Sequence, residues 1–276
     1  MKNNRNTNDL NEKKTVLITG ASSGIGYEFS KLFAKDGYNL VIVARNEEKL
    51  KQLENELEGN FGISVFSIPK DLSVAATPQE IFYELQQESI EIDILVNNAG
   101  FNVYGAFSET NIIEELQMVQ VNLMSLTHLT KLFLPGMLRN GYGKIMNIGS
   151  TGSFGPGPLN AVYCATKSFV LSFSEAIAEE LQGTGITVTA LCPGATKTEF
   201  FKRANMEDIK LLERGVMDAK TVAEIGYKAM MKGERLVIAG IENKLMIFLI
   251  RFMPRKMMAK MAKEVMVSDN YGYRKK

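Results

Sequence analysis

The sequence contains little of what several protein classes require. Only two cysteines, Cys164 and Cys192, occur in 276 residues, which argues against a disulfide scaffold or a cysteine zinc site and favours a reducing, cytoplasmic compartment. The 32 basic side chains are balanced by 31 acidic ones, so bulk charge gives no indication of a nucleic-acid partner. The apolar run at 245–250 is much shorter than the roughly 20 residues of a transmembrane helix. We therefore expect no metal, no nucleic acid and no membrane span.

Domain boundaries are also missing. The chain has no internal repeat, no low-complexity tract and no linker rich in Pro, Gly or Ser. Residues 1–13 are polar and include no apolar stretch of signal-peptide length. We predict a polar tail at 1–13, a single α/β domain at 14–243 and a basic, methionine-rich helical extension at 244–276.

Apolar runs of strand length alternate with longer helical patterns through the central part of the chain. The predicted strands are residues 15–19, 40–43, 64–68, 94–96, 144–148, 187–191 and 236–239. The predicted helices lie near 24–36, 46–58, 77–88, 109–139 and 161–182. Strands this apolar are typical of a sheet covered on both faces, and the alternation predicts parallel, right-handed crossovers. The fold class is therefore α/β, with a doubly wound, mainly parallel sheet of seven strands.

A glycine-rich turn follows the first predicted strand. Residues 19–26 are Thr-Gly-Ala-Ser-Ser-Gly-Ile-Gly, and a helical pattern begins directly after them. Glycines allow backbone amides to approach a pyrophosphate, and a helix N-terminus adds partial positive charge. The spacing G-x-x-x-G-x-G differs from the common G-x-G-x-x-G fingerprint. The alternative is a strand-to-helix turn that binds no ligand.

Three side chains suggest proton chemistry. Tyr163 and Lys167 are four residues apart in a helical pattern, so they share one face. A nearby ammonium favours the phenolate, which makes a tyrosine a usable acid or base near neutral pH. Ser150 stands thirteen residues before Tyr163, at the end of the fifth predicted strand. Its hydroxyl, like those of the neighbouring Thr151 and Ser153, can form a hydrogen bond with an oxygen atom.

Taken together, the glycine turn, the Asn-Asn-Ala-Gly after the fourth strand and the Tyr-x-x-x-Lys pair resemble the short-chain dehydrogenase/reductase family over residues 15–198. The resemblance implies a Rossmann-type fold and hydride transfer between a nicotinamide cofactor and a carbonyl or alcohol. It also implies four catalytic residues: Asn122, Ser150, Tyr163 and Lys167. In the family the asparagine positions a water that links the lysine to solvent.

The resemblance further implies a set of cofactor-binding residues. They are Gly20, Ser22, Ser23, Gly24, Ile25, Gly26, Arg45, Asp71, Leu72, Asn98, Tyr163, Lys167, Pro193, Gly194, Thr196 and Thr198. By that resemblance Asp71 receives the adenine amino group, Asn98 lies along the cofactor and Thr198 holds the nicotinamide carboxamide. Asp71 as an exposed turn residue is the alternative.

Arg45 indicates which nicotinamide cofactor is used. Dehydrogenases that select NAD place an acid at the end of the second strand, to bind the ribose hydroxyls. Here that place reads Val-Ala-Arg-Asn, and a guanidinium can hold a 2′-phosphate. We therefore expect NADP(H). The family often has a basic residue near Ser22 and Ser23, which this chain lacks, and Arg45 as a solvated residue before a helix capped by Asn46 is the alternative.

The substrate is indicated only by the segment after Thr198. Residues 199–216 form the predicted lid, whose apolar members are Phe200, Phe201, Met206, Leu211 and Leu212. They favour an apolar ketone or secondary alcohol, and related extensions in hydroxysteroid and long-chain 3-oxoacyl reductases suggest a lipid-like one by analogy. Residues 244–266 carry six of the 15 methionines. This part of the chain could pack on the core or a second subunit, cover the active site, or contact a membrane.

Other functions remain open at this point. The enzyme could work oxidatively on an alcohol, the fold could bind a dinucleotide without turnover, or the chain could be a peripheral membrane protein. The resemblance implies a homo-oligomer, either a dimer or a tetramer. Cys164 and Cys192 are interpreted as packing residues and the single histidine, His128, as structural.

Overall fold

A computed structural model describes residues 13–213 and 215–267. Residues 1–12 of the predicted tail, and 268–276 of the predicted extension, lie outside the described residues. The strands of the main sheet are β1 (Thr15–Thr19), β2 (Asn39–Ala44), β3 (Val65–Pro69), β4 (Ile94–Asn97), β5 (Gly143–Ile148), β6 (Ile186–Cys192) and β9 (Leu236–Ile238). All seven predicted strands are confirmed, each to within one residue at either end.

Every pairing in this sheet is parallel, in the order β3-β2-β1-β4-β5-β6-β9. The connecting helices are α1 (Gly24–Lys35), α2 (Glu47–Phe61), α3 (Thr77–Gln87), α4 (Ile112–Val119), α5 (Leu126–Asn140), α6 (Ala161–Glu180), α7 (Glu199–Arg203), α8 (Lys210–Glu213), α9 (Ala219–Lys232), α10 (Ile241–Ile250) and α11 (Arg255–Met266). The doubly wound, Rossmann-type α/β prediction is confirmed.

Alternation along the strands builds two separate cores. Val16 and Ile18 of β1 pack with Phe29 and Phe33 of α1 on one face of the sheet, in a cluster that also includes α2 and α9. Leu17 points to the other face, into a cluster with apolar residues of α3, α5 and α6. Because both faces are covered, the central strands contain few polar residues.

The sheet order reverses direction beside β1. The chain runs outward from β1 to β3 and then returns to place β4 against the other edge of β1. In open α/β sheets a crevice forms at such a reversal, at the carboxyl ends of the strands, and ligands bind there. The glycine turn and the end of β4 therefore face the same opening.

One predicted helix is wrong in detail. The continuous helix at 109–139 is instead α4, a π-helical stretch at Gln120–Ser125 and then α5. Asn122 lies within the π-helical stretch, which turns its side chain inward to contact Phe101. Such bulges are frequent at functional sites.

The second half of the chain adds elements that the sequence did not predict. Strands β7 (Thr196–Lys197) and β8 (Met217–Asp218) form a two-stranded parallel sheet at the base of the lid. The predicted boundary at 243 falls inside α10. None of the helices in the described ranges is both long and apolar enough to cross a membrane.

Candidate active site

A cavity of about 610 Å³ opens at the carboxyl ends of β1, β2, β4 and β5. Its walls come from the glycine turn, the strand ends, the start of α6, the segment from Pro193 to Leu211, and Met266. Of the predicted site residues, sixteen line it: Gly20, Ser22, Ser23, Gly24, Ile25, Arg45, Asp71, Leu72, Asn98, Ser150, Tyr163, Lys167, Pro193, Gly194, Thr196 and Thr198. Gly26 and Asn122 stand behind this wall.

The glycine turn is tightly packed against the end of β4. Gly20 has a φ of +68°, in the left-handed region, and the Nδ2 of Asn98 donates hydrogen bonds to the carbonyls of Thr19 (2.9 Å) and Gly20 (3.2 Å). A Cβ on Gly26 would lie 2.5 Å from that Nδ2. Gly26 thus allows α1 to pack close to the turn, a role that sequence spacing did not distinguish from ligand contact.

Helix α1 begins at the cavity. The side chain of Ser23, at the N-cap, accepts no hydrogen bond from the first amides of the helix, so no side chain caps them. Free amides at a helix N-terminus suit an anion. A Cβ on Gly24 would be 2.9 Å from the Cγ2 of Thr198, so the turn also touches the start of the lid. The chain's own geometry here fits a dinucleotide pyrophosphate.

Arg45 and Asp71 lie at the ends of neighbouring strands β2 and β3. Their charged atoms, Nη1 and Oδ2, are 4.0 Å apart, and the side chains are 64% and 41% exposed, so the pair is weak and the guanidinium is available to a ligand. Asn46 caps α2 by accepting a bond from the Lys49 amide at 2.8 Å. Asp71 accepts a bond from the Ser73 amide at 2.9 Å, as a turn residue does. Apart from their 4.0 Å contact with each other, neither the guanidinium of Arg45 nor the carboxylate of Asp71 is held in a close ion pair on the side that faces the cavity.

Tyr163, Lys167 and Ser150 meet at the end of β5. Lys167 is 5% exposed, and its Nζ lies 5.8 Å from the centre of the Tyr163 ring and 2.8 Å from the Ile148 carbonyl, to which it donates. Burial lowers the pKa of Lys167 to about 8. Burial raises the pKa of Tyr163, while a hydrogen bond with Ser150 acts in the opposite direction. The three groups therefore lie close enough together for proton transfer, and burial brings the pKa of the lysine towards neutrality.

Asn122 is buried beside this cluster. Its Oδ1 accepts a bond from the Phe101 amide at 3.1 Å and its Nδ2 donates to the Phe101 carbonyl at 2.9 Å. A Cβ on Gly100 would be 3.0 Å from the Asn122 Oδ1 and 3.4 Å from the Lys167 Nζ. Asn122 is thus close to Lys167, although both of its polar atoms already hold backbone partners.

Two threonines directly before the predicted lid form local hydrogen bonds. Thr198 caps α7 by accepting a bond from the Phe200 amide at 3.2 Å, and Thr196 donates to the Gly194 carbonyl at 3.0 Å. The Phe200 ring lies 5.6 Å from that of Tyr163. Of the predicted apolar lid residues, Phe200, Phe201, Met206 and Leu211 line the cavity, whereas Leu212 packs beside it.

Sequence reasoning left open whether residues 244–266 cover the active site, and it did not identify Met266 as the residue that lines the cavity. Met266, at the end of α11, lines it, and its carbonyl accepts a bond from the Tyr104 hydroxyl at 2.5 Å. The Nδ2 of Asn160 lies 3.1 Å from the Met266 sulfur, and Asn102 contacts the sulfur of Met206 at 3.0 Å. The only signal for Met266 in the sequence was the methionine-rich composition of residues 244–266, which did not distinguish Met266 from the neighbouring methionines.

The cysteines are not poised for nucleophilic chemistry. Both are free and buried, and burial raises the pKa of Cys164 to about 11 and that of Cys192 to about 12. Within residues 13–213 and 215–267, no group of three His, Cys, Asp or Glu side chains could hold a metal ion.

Comparison with known proteins gives the same assignment as this geometry. Residues 14–208 match the family model described as short chain dehydrogenase. The chain belongs to this family. It is 32% identical over 218 residues to the ketoacyl reductase HetN of a Nostoc species, covering 79% of this chain and 75% of the relative. The family predicted from the motifs is thus confirmed.

Two solved structures extend the likeness. A short-chain dehydrogenase from Sphingobium yanoikuyae in complex with NADPH is 31% identical with a TM-score of 0.77, over 87% of this chain and 96% of the other. A bulky-bulky ketone specific alcohol dehydrogenase from Comamonas testosteroni is 31% identical with a TM-score of 0.74, over 89% and 93%. This short-chain dehydrogenase is accordingly an oxidoreductase that acts on hydroxyl or keto groups with a nicotinamide cofactor.

Proposed function

We propose that this enzyme is an NADP(H)-dependent reductase of an apolar ketone, able to run in reverse on the secondary alcohol. The observation that carries the proposal is the meeting of Ser150, Tyr163 and Lys167 in the cavity that also contains the glycine turn. The fold brings these residues together at the carboxyl ends of the parallel strands, where a substrate carbonyl and a nicotinamide would both fit.

Arg45 supports the preference for NADP(H). It stands where an NAD-selective enzyme has an acid, and its exposed guanidinium has only a 4.0 Å contact with Asp71. A permanently charged, planar group suits the 2′-phosphate. The Sphingobium relative is described with NADPH bound. The amides at the start of α1 would hold the pyrophosphate, and Asn98 and Thr198 would border the rest of the cofactor.

When bound, the cofactor supplies the hydride, and the chain supplies position and the proton. In the reductive direction Ser150 donates a hydrogen bond to the carbonyl oxygen and Tyr163 gives that oxygen its phenolic proton. Lys167 keeps an ammonium near the phenol below a pH of about 8 and helps to restore its proton. Asn122 fixes the Phe101 backbone next to Lys167, on the path by which we propose that a water links the lysine to solvent.

The apolar wall beside the catalytic cluster favours an apolar substrate. Phe200, Phe201, Met206, Leu211 and Met266 line it. Aromatic rings and flexible thioethers adapt to large apolar groups, and the Comamonas relative is described as specific for bulky-bulky ketones. We therefore propose a bulky or lipid-like ketone, such as a steroid or an acyl compound. We also propose that the enzyme acts in the cytoplasm as a homo-oligomer, a dimer or a tetramer.

The test is to follow NADPH and NADH oxidation over steroid, acyl, aliphatic and sugar ketones. We expect activity on apolar ketones with NADPH, and a loss of at least about a thousandfold in kcat for Tyr163→Phe. Tyr83→Phe is the matched control, because Tyr83 is an exposed tyrosine on α3. Near wild-type turnover in Tyr163→Phe would refute the mechanism. Cofactor binding without turnover of any ketone would favour the dinucleotide-binding scaffold instead.

A further inference from the structure

Helix α10 is apolar on the side that faces the protein and also on the side that faces water. Ile247 is buried against the fold, whereas Ile241 is 79% exposed and Phe252, in the turn after the helix, is 74% exposed. Apart from Glu242, Asn243 and Lys244 in its first turn, the helix is apolar on both sides, and apolar helix faces are normally buried. The water-facing side of α10 therefore needs an apolar partner.

The exposed apolar side chains form one stripe. We call it the outer face of α10, and it consists of Ile241, Leu245, Phe248, Leu249 and Phe252, each more than half exposed. Their spacings of three, four and seven residues place them on one side of a helix. The rings of Phe248 and Phe252 pack edge to face at 5.4 Å. Contiguous apolar patches of this kind mark interaction sites.

Positive charge borders this stripe. Lys244 and Arg251 are both exposed and are seven residues apart, so they lie along the same margin of the helix. Residues 241–266 carry six basic and two acidic side chains, although the whole chain has a formal net charge of only +1. Helix α10 itself carries Lys244 and Glu242, so the basic excess lies in Arg251 and α11, and the remainder of the chain has a net negative charge.

This charge distinguishes between two occupants. In a symmetric contact between two copies, the same patch meets itself, and the basic margin of one copy would lie near that of the other. An anionic lipid surface has the complementary charge and an apolar layer below its headgroups. We propose that the outer face of α10 docks on an anionic membrane surface, with Phe248 and Phe252 at the boundary between headgroups and acyl chains.

Docking of this kind is interfacial. Helix α10 has ten residues, too few to span a bilayer, and would lie parallel to the surface with Lys244 and Arg251 near the lipid phosphates. The inference does not depend on the substrate, because none of these side chains lines the catalytic cavity.

The chain contains no tryptophan, so a single introduced one reports on its own environment. We would add vesicles of phosphatidylcholine, with or without about 30% phosphatidylglycerol, to the full-length Phe252→Trp variant. We expect a blue shift of its emission with the anionic vesicles and none for Tyr83→Trp, the matched exposed control on α3. An unshifted Phe252→Trp spectrum would overturn the proposal.

Sedimentation with the same vesicles gives the energetic test. We expect Phe248→Ser with Phe252→Ser, and separately Lys244→Gln with Arg251→Gln, to weaken binding to anionic vesicles by about tenfold or more each. The controls are Tyr83→Ser with Phe107→Ser, and Lys220→Gln with Lys228→Gln, all at exposed positions; these should bind as wild type does. The single variant Phe252→Ser serves if the double variant fails to fold.

The competing occupant is tested by sedimentation velocity without lipid. If Phe252→Ser converts an oligomer of the wild type into monomers, a second copy covers the outer face and the membrane proposal is wrong. Unchanged oligomeric state together with lost vesicle binding supports it. NADPH oxidation should be retained in all of these variants in solution, which separates failure of docking from failure of the proposed catalytic function.

Discussion

The Nζ of Lys167 donates a 2.8 Å hydrogen bond to the carbonyl of Ile148, at the last residue of β5. This bond holds a buried ammonium at the point where the strand ends, two residues before Ser150, the proposed catalytic serine. Burial sets the pKa of that ammonium near 8, well below its ordinary 10.5. The placement that we propose makes Lys167 useful to Tyr163 therefore also lowers the stability of the folded chain at neutral pH.

The lowered pKa of Lys167 predicts a pH dependence of stability. Between about pH 8 and 10.5 the unfolded chain binds a proton at this lysine that the folded chain has released, so the free energy of unfolding rises with pH. Relative to Lys167→Met, the wild type should gain about 1 to 2 kcal/mol from pH 8 to 9.5. Urea unfolding at both pH values measures this difference. A constant gap would contradict the prediction.

Arg45 should determine the cofactor preference. In Arg45→Gln we expect the KM for NADPH to rise by about tenfold or more, because a charge-assisted bond to the 2′-phosphate is lost, with the KM for NADH nearly unchanged. Initial rates with either cofactor measure this. Arg139→Gln, at an exposed position on α5, is the control. Equal effects on both cofactors would mean that Arg45 does not recognise the 2′-phosphate.

Met266 should affect the ketone and leave the cofactor unaffected. Met266→Ala removes part of the cavity wall, so we expect a rise of about three- to tenfold in the KM for an apolar ketone, equivalent to about 1 kcal/mol of lost contact. The KM for NADPH should stay the same. Met261→Ala, an exposed methionine on the same helix, is matched in size and should change neither. Steady-state kinetics with both substrates varied measures the two KM values, and a raised KM for NADPH or an unchanged KM for the ketone would contradict the prediction.

Gly26 and Gly59 offer a matched pair of alanine substitutions. In Gly26→Ala the new methyl would lie 2.5 Å from the Asn98 Nδ2, so α1 must shift, and we expect a loss of roughly 1 to 3 kcal/mol in stability and weaker NADPH binding. Gly59, inside α2, has nothing within 4 Å of its added Cβ. Gly59→Ala should stabilise by about 0.5 to 1 kcal/mol. Thermal unfolding with and without NADPH compares the two, and equal shifts would argue against the close packing at Gly26.

Much of the fold could be predicted because its signals are local. The strands are short apolar runs whose two faces are both covered, and their ends were placed to within one residue. The residues Ser150, Tyr163 and Lys167 are implied by the family resemblance, whose motifs have fixed spacings at a strand end and along one helix. Their assigned roles remain predictions, although the cavity brings the three together.

Features that depend on distant contacts escaped prediction. The π-helical stretch around Asn122 is stabilised by bonds to Phe101 across a loop, which no helical periodicity encodes. Strands β7 and β8 have two residues each, too short to give a pattern. Met266 lies at the cavity wall, where its carbonyl accepts a hydrogen bond from the hydroxyl of Tyr104, 162 residues earlier in the chain. In each case the partner that stabilises the conformation is far away in the sequence.

The central position of β1 has a consequence for the order of assembly. This strand is translated first among the seven, yet one of its edges stays open until β4 emerges, and the edge of β6 waits for β9 near the end of the chain. Parallel pairings of such separation close long loops and form slowly. A ribosome-bound intermediate therefore exposes unpaired apolar strand edges, so the nascent chain has a long interval in which it is prone to aggregate and in which a chaperone would protect it.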